Sequence, residues 1–184
     1  MKLVWKIILP LPVLAATLFA ASFRLPAQVH VEHRVVLAAA PEQVYPYLNN
    51  PTEWPKWSFL SKTADPTVIH LYGGPTTGVG ARMQWSGDKV GDGKLQLTES
   101  ISPSSVVYVQ SETGLPGNIL GEFRLTPVQG GTEVVWRQSA EVGTNIWDKY
   151  KGLYQQHKKQ QEVEQGLTGL KTLLQNNSKR RAAK

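Results

Sequence analysis

The chain has 184 residues, no cysteine and a formal net charge of +6, a length that fits one domain with an appendage. The missing thiols exclude disulfides, thiolate catalysis and thiolate metal ligands together. The charge excludes more than it implies. Seven of the 20 basic residues sit at the ends (Lys2, Lys6, Arg24, Lys179, Arg180, Arg181, Lys184), and the 13 that remain face 14 acids, a balance near −1 that offers no basic face to nucleic acid.

Lys2 and Lys6 precede a run from Ile7 to Phe23 that carries no charge and only Thr17 and Ser22 as hydroxyls. As a helix over residues 3–23 it would span roughly 30 Å, the thickness of a bilayer core. Pro10 and Pro12 would kink such a helix in water, but membrane helices tolerate proline better. Two readings stay open. A secretory signal has an apolar stretch of about 7–15 residues and a small-residue cleavage site; this run is longer, and Ala20-Ala21-Ser22 is only a loose site. The favoured reading is an uncleaved signal anchor or transmembrane helix over residues 1–26. The lysines before the run place the N-terminus in the cytoplasm and the domain on the extracytoplasmic side, periplasmic or extracellular. Cleavage would make it a secreted protein.

A single domain is expected over residues 27–176. Residues 29–37 are rich in β-formers and read as a strand. Ala40-Pro41-Glu42 starts a short helix over 41–49, where Val44, Tyr47 and Leu48 share a face and Pro46 implies a bend or an early end. Thr52 is the expected cap of a second helical turn reaching Trp57. The period then changes to two. Residues 68–72, 81–86, 94–100, 106–113, 119–126 and 132–142 read as six strands separated by glycine, proline and serine clusters. Connections this short make neighbours antiparallel. Alternation puts Ala81, Met83 and Trp85 on one face, with Leu95, Leu97 and Glu99, then Phe123 and Leu125, then Val134 and Trp136. Arg82, Gln84, Glu133 and Arg137 point toward water.

From Ile146 to Gln175 the period returns to 3.6. Ile146, Tyr150, Leu153, Tyr154, His157, Val163, Leu167, Leu170 and Leu174 form the expected inner stripe, with Lys158, Lys159, Glu162 and Lys171 off it. Gly166 and Gly169 each cost roughly 1 kcal/mol in a helix relative to alanine, which allows for close approach to the sheet. Residues 177–184 read as a basic, disordered tail.

Several stretches carry a family resemblance: VHVEHRVVLAAAPEQV (29–44), LNNPTEWPKW (48–57), GVGARMQW (78–85), GDG (91–93), with Glu99 closing that strand, GTEVVW (131–136) and GLTGLK (166–171). In order and spacing the chain resembles the START-like, or SRPBCC, superfamily near its polyketide cyclase/dehydrase-type members, including a membrane-anchored subgroup. The resemblance covers nearly all of residues 29–175. It implies an α+β helix-grip fold, a seven-stranded curved antiparallel sheet wrapped on a long C-terminal helix, with a cavity between them for an apolar ligand. A shared fold leaves the chemistry open.

No reactive constellation accompanies this fold. His30 and His33 are three apart on a strand and face opposite sides, and no histidine–carboxylate cluster has metal-ligand spacing, so neither metal nor cofactor is expected. Gly78-Val79-Gly80 and Gly91-Asp92-Gly93 lack the following helix and Lys-Ser/Thr pair of a phosphate loop, and read as turns. Two weak catalytic candidates remain. Glu99 shares the parity of Leu97 and would point inward, where burial raises a carboxyl pKa; His157 lies on the expected helix stripe. The bland readings, a wetted strand end and a satisfied core histidine, are the commoner ones. The expected cavity lining is Trp54, Trp57, Tyr72, Met83, Trp85, Leu97, Glu99, Phe123, Trp136, Tyr150, Tyr154 and His157. Most of these aromatics are core packing, and Trp54 and Trp57 stand where they could gate entry. The favoured function is a membrane-tethered domain holding a lipid or other hydrophobic small molecule. The alternatives are a cyclase/dehydrase-type enzyme using the same cavity and a protein-docking domain of the cell envelope.

Overall fold

In the computed structural model, residues 17, 20, 28–115, 117–141, 143 and 145–182 are described. The expected anchor, residues 1–26, lies almost wholly outside them. Among the described residues no helix is long and apolar enough to cross a membrane.

Strand β1 (Gln28–Leu37) leads into helix α1 (Pro41–Leu48) and a 3₁₀ turn (Pro51–Lys56). Strands β2 (Ile69–Gly73), β3 (Arg82–Ser86), β4 (Gly93–Ile101), β5 (Ser105–Glu112), β6 (Ile119–Val128) and β7 (Gly131–Glu141) come next, and helix α2 (Ile146–Ala182) closes the chain. The seven strands form one antiparallel sheet in the order β1-β7-β6-β5-β4-β3-β2. Short connections pair each of β2 to β6 with its successor, and β1 closes on β7. The curved sheet and long C-terminal helix make a helix-grip fold.

Alternation built the concave face as expected, with Ala81, Met83, Trp85, Leu95, Leu97, Phe123, Leu125, Val134 and Trp136 all buried. Glu99 is the exception. The β4–β5 register slips between Leu97, opposite Tyr108, and Glu99, opposite Val107. Thr98 is therefore the extra residue of a β-bulge, which reverses the parity of the residues beyond it. Glu99 is turned outward and exposed.

Three smaller expectations are also corrected. The 3₁₀ turn is capped by Asn50, whose Oδ1 accepts from Thr52 N at 3.0 Å and Thr52 Oγ1 at 2.8 Å, so Thr52 is the capped residue. Pro46 neither ends nor shortens α1, because it sits on the exposed side of a helix that runs on to Leu48. The presumed disordered tail is helical through Ala182, and Asn177 Nδ2 donates to Tyr47 Oη at 3.0 Å.

Helix α2 grips the sheet through its second half, where Val163, Leu167 and Leu170 are buried. Both helical glycines are points of close approach. A Cβ on Gly169 would stand 2.1 Å from the carbonyl oxygen of Trp57, and one on Gly166 would stand 2.6 Å from the Trp136 ring.

Candidate functional site: a polar cluster under the first half of α2

The space between the sheet and the second half of α2 is filled with aromatic rings. Trp54 meets Tyr108 edge-on with centroids 5.1 Å apart, Trp57 meets Trp136 at 5.8 Å, and Phe123 lies 4.7 Å from Trp136. The indole N–H groups of Trp54 and Trp57 donate to the carbonyls of Leu48 (3.0 Å) and Tyr47 (3.2 Å). These two tryptophans therefore tie α1 and the 3₁₀ turn into the core, and do not stand at a mouth as gates. A buried indole satisfies its N–H in this way while its rings fill the core.

Further toward the start of α2 the interior becomes polar. On β5, period-two alternation places Tyr108, Gln110 and Glu112 on the concave face, and β7 places Trp136 and Gln138 there. Tyr108, Gly121 and Gln138 stand in one row across three strands. Gly121 leaves room for the phenol to lie across β6, since a Cβ there would be 2.0 Å from Tyr108 Cζ. The Tyr108 hydroxyl accepts from Trp136 Nε1 and from Gln138 Nε2, both at 2.8 Å. Burial pushes its pKa well above the ordinary value of a phenol.

Lys159, only 2 % exposed, enters the same region from α2. Its ammonium group donates to Glu162 Oε2 at 2.6 Å and to Glu112 Oε1, which also accepts from Gln110 Nε2. The Phe59 ring lies beneath it at 5.5 Å. One buried cation thus serves two carboxylates. Burial raises the pKa of Glu162, and Lys159 opposes that shift.

Beside this cluster is a small cleft lined by Val29, Leu115, Ile119, Gln138, Ser139, Ala140, Gln155 and Lys159, with a free volume of about 10 Å³, near the room one water needs. Two buried amide oxygens, Gln138 Oε1 and Gln155 Oε1, have no hydrogen-bond partner among the described residues, and both residues line it. Larger depressions lie outside the sheet–helix space. One of about 820 Å³ runs between α1 and the end of α2, and one of about 630 Å³ lies on the convex sheet face by Arg82, Gln84 and Lys94.

The expected lining residues divide accordingly. Trp54, Trp57, Met83, Trp85, Leu97, Phe123 and Trp136 are interior. Tyr72 sits half exposed at the open β2 edge, and Glu99 faces outward. Tyr150 is partly covered, while Tyr154 and His157 are exposed on the outer face of α2, His157 Nε2 lying 3.1 Å from Gln161 Nε2. Glu99 and His157 therefore reach neither the cleft nor each other. Lys159 and Glu162 were expected in water, and Tyr108, Glu112, Gln138 and Gln155 were not singled out. For Tyr108 the signal was present, because it shares parity with Val106 and lies in a row with a glycine. Among the described residues no group of three histidine, aspartate or glutamate side chains could hold a metal ion.

The family described as "Polyketide cyclase / dehydrase and lipid transport" matches residues 28–175. An uncharacterized protein of Mycobacterium tuberculosis is 24 % identical over 121 residues, which cover 66 % of this chain and 71 % of that one. Among solved structures, a protein of unknown function from Staphylococcus aureus has a TM-score of 0.66 at 14 % identity, covering 83 % of this chain and 96 % of that one. The di-domain ARO/CYC StfQ from the steffimycin biosynthetic pathway has a TM-score of 0.62 at 17 % identity, covering 83 % of this chain and 52 % of that one. At these identities the structural likeness speaks for the fold alone. With the match spanning the whole sheet and most of α2, the chain belongs to the polyketide cyclase/dehydrase and lipid transport family of SRPBCC domains.

Proposed function

We propose that this domain binds a small apolar molecule bearing a hydroxyl or amine group beneath the first half of α2. The observation that carries this reading is the pair of unpartnered amide oxygens, Gln138 Oε1 and Gln155 Oε1, on one cleft. A buried acceptor left unpaired costs about 1–3 kcal/mol, and a ligand O–H or N–H would recover that loss. The wall of Val29, Leu115, Ile119 and Ala140 takes the apolar body, at about 25 cal/mol per Å² removed from water.

Entry requires room that the closed cleft lacks. The first half of α2 supplies the means, because before Lys159 only Gly152 is buried on it. A segment with so little buried contact opens at low cost. The proposal is one of binding, since the two catalytic candidates, Glu99 and His157, lie outside the cleft. Residues 1–26, read as an anchor, would hold the domain beside a membrane on its extracytoplasmic face, where hydrophobic ligands are concentrated.

Native mass spectrometry of the full-length protein, released from detergent micelles, tests this. The expected result is a reproducible adduct whose extract is an apolar compound with a hydroxyl or amine, lost when Gln138 and Gln155 are both changed to methionine. An adduct unchanged in that double variant would sink the assignment of the site.

A further inference from the structure

Helix α2 carries two apolar stripes on opposite faces. Val163, Leu167 and Leu170 are buried, whereas Trp147 is 76 % exposed and Tyr154 69 %; Leu153, at 44 %, lies on the flank between the two faces. Trp147 and Tyr154 are seven residues apart, close to two full turns, so they stand in line. Tyr154 and Val163 are nine apart, about half a turn out of phase at about 100° per residue. Once Val163 faces the sheet, Tyr154 must face away. Trp54, Trp57, Trp85 and Trp136 are all buried; Trp147 leaves in water a ring that would otherwise bury about 150–250 Å².

Composition and position narrow what covers this stripe. Residues 147–158 hold Lys149, Lys151 and Lys158 against the single acid Asp148, whose carboxylate accepts from Asn145 Nδ2. Tryptophan and tyrosine flanked by lysine is the composition of a headgroup interface. The chain's own connectivity adds a second argument. β1 begins at Gln28, which pairs with Glu141, and α2 opens at Ile146 just beyond. Residues 1–27, with their uncharged run from Ile7 to Phe23, therefore join the domain at the end where Trp147 stands.

We propose that the outer stripe of α2, with Trp147 and Tyr154 as its apolar contacts and Lys151 and Lys158 (the latter also 3.7 Å from Glu162 Oε1) beside the lipid phosphates, docks the domain on a bilayer. The surface is separate from the ligand cleft, and the two readings stand or fall independently.

Because the chain has no cysteine, Tyr154→Cys and Gln96→Cys each give the full-length protein a single site for a nitroxide label. Gln96 is exposed on the convex sheet face and serves as the aqueous reference. The variants are reconstituted with vesicles of phosphatidylcholine and phosphatidylglycerol, and label collisions with oxygen and with a water-soluble nickel chelate are measured. The expected result is high oxygen collision at position 154 with nickel collision roughly tenfold below that at position 96, the pattern of a side chain in the interfacial acyl region. Low collision with both reagents at position 154 would mean that protein covers the stripe, either this chain's N-terminal segment or a second copy, and would overturn the proposal. Nickel collision equal at the two positions would overturn it by leaving the stripe in water.

Discussion

The Tyr108 hydroxyl stands 2.8 Å from Trp136 Nε1, and the glycine at position 121 is what lets the phenol reach it. Tyr108→Phe leaves the N–H groups of Trp136 and Gln138 in a dry core without an acceptor, at a cost of about 1–3 kcal/mol. Gly121→Ala acts by a different route, since its Cβ would overlap the phenol ring and force it off the row. Equilibrium urea unfolding should show both variants destabilised, with Gly121→Ala the worse because the obstructing atoms are a buried ring.

The buried Lys159 is shared by Glu112 and Glu162, so the two ends of this cluster are not equivalent. Lys159→Met leaves Glu112 without its cation and Glu162 with only Lys158, 3.7 Å away, and should cost about 3–5 kcal/mol at neutral pH. Glu162→Gln leaves Lys159 and Glu112 as a one-to-one pair and should cost about 1–2 kcal/mol or less. Comparing the two variants by urea unfolding at pH 7 checks this, and equal losses would count against the shared-cation arrangement.

Two carboxylates give stability opposite dependences on pH. Asp65 Oδ1 accepts from Thr67 N (3.0 Å) and Thr67 Oγ1 (2.7 Å), and Oδ2 from Lys89 N (2.7 Å) and Val90 N (3.1 Å). These bonds, led by the Thr67 hydroxyl, hold its pKa below the ordinary 3.8. Its contribution is therefore present above pH 3.8 and lost as pH falls from there toward the lowered value. Glu162 has the opposite sign. Its pKa is raised above 4.5 by burial, so the cost of ionising it is full above the raised value and disappears as pH falls to 4.5. Thermal melts from pH 7 to 3 should show wild type gaining on Glu162→Gln down to about pH 4.5. Wild type should lose its advantage over Asp65→Asn only below about pH 4.

The two faces of α2 make unequal demands on the fold. Leu167 is fully buried, and Leu167→Ala should cost about 2–5 kcal/mol by transfer and cavity terms together. Tyr154, 69 % exposed, lies on the outer stripe, and Tyr154→Ala should stay within about 0.5 kcal/mol. Denaturant midpoints of the two variants in detergent solution check the assignment of faces.

Most of the architecture could be read along the chain. The strands from β3 to β7 have largely period-two burial set by the pleat, while the edge strand β2 is exposed almost throughout, and the long helix announces itself by period 3.6 and its length. The motifs from Val29 to Lys171 pointed to the family that the comparison shows. The interior aromatics Trp85, Phe123 and Trp136 came from parity alone.

The features that escaped that reading depended on partners distant in the chain. Glu99 kept the parity of Leu97 on paper, and only pairing with β5 revealed the bulge at Thr98 that turns it outward. The apolar positions of α2 looked like one stripe because each local window was regular; the change of phase between His157 and Val163 became visible when one face had to meet the sheet. Lys159 and Glu162 read as solvated because an isolated charge stays in water, and their burial rests on Glu112, 47 residues away from Lys159 in sequence. Local periodicity sets which face an element can bury, but only the register between strands and the packing of the helix across them decide which face is chosen and which charges find a partner there.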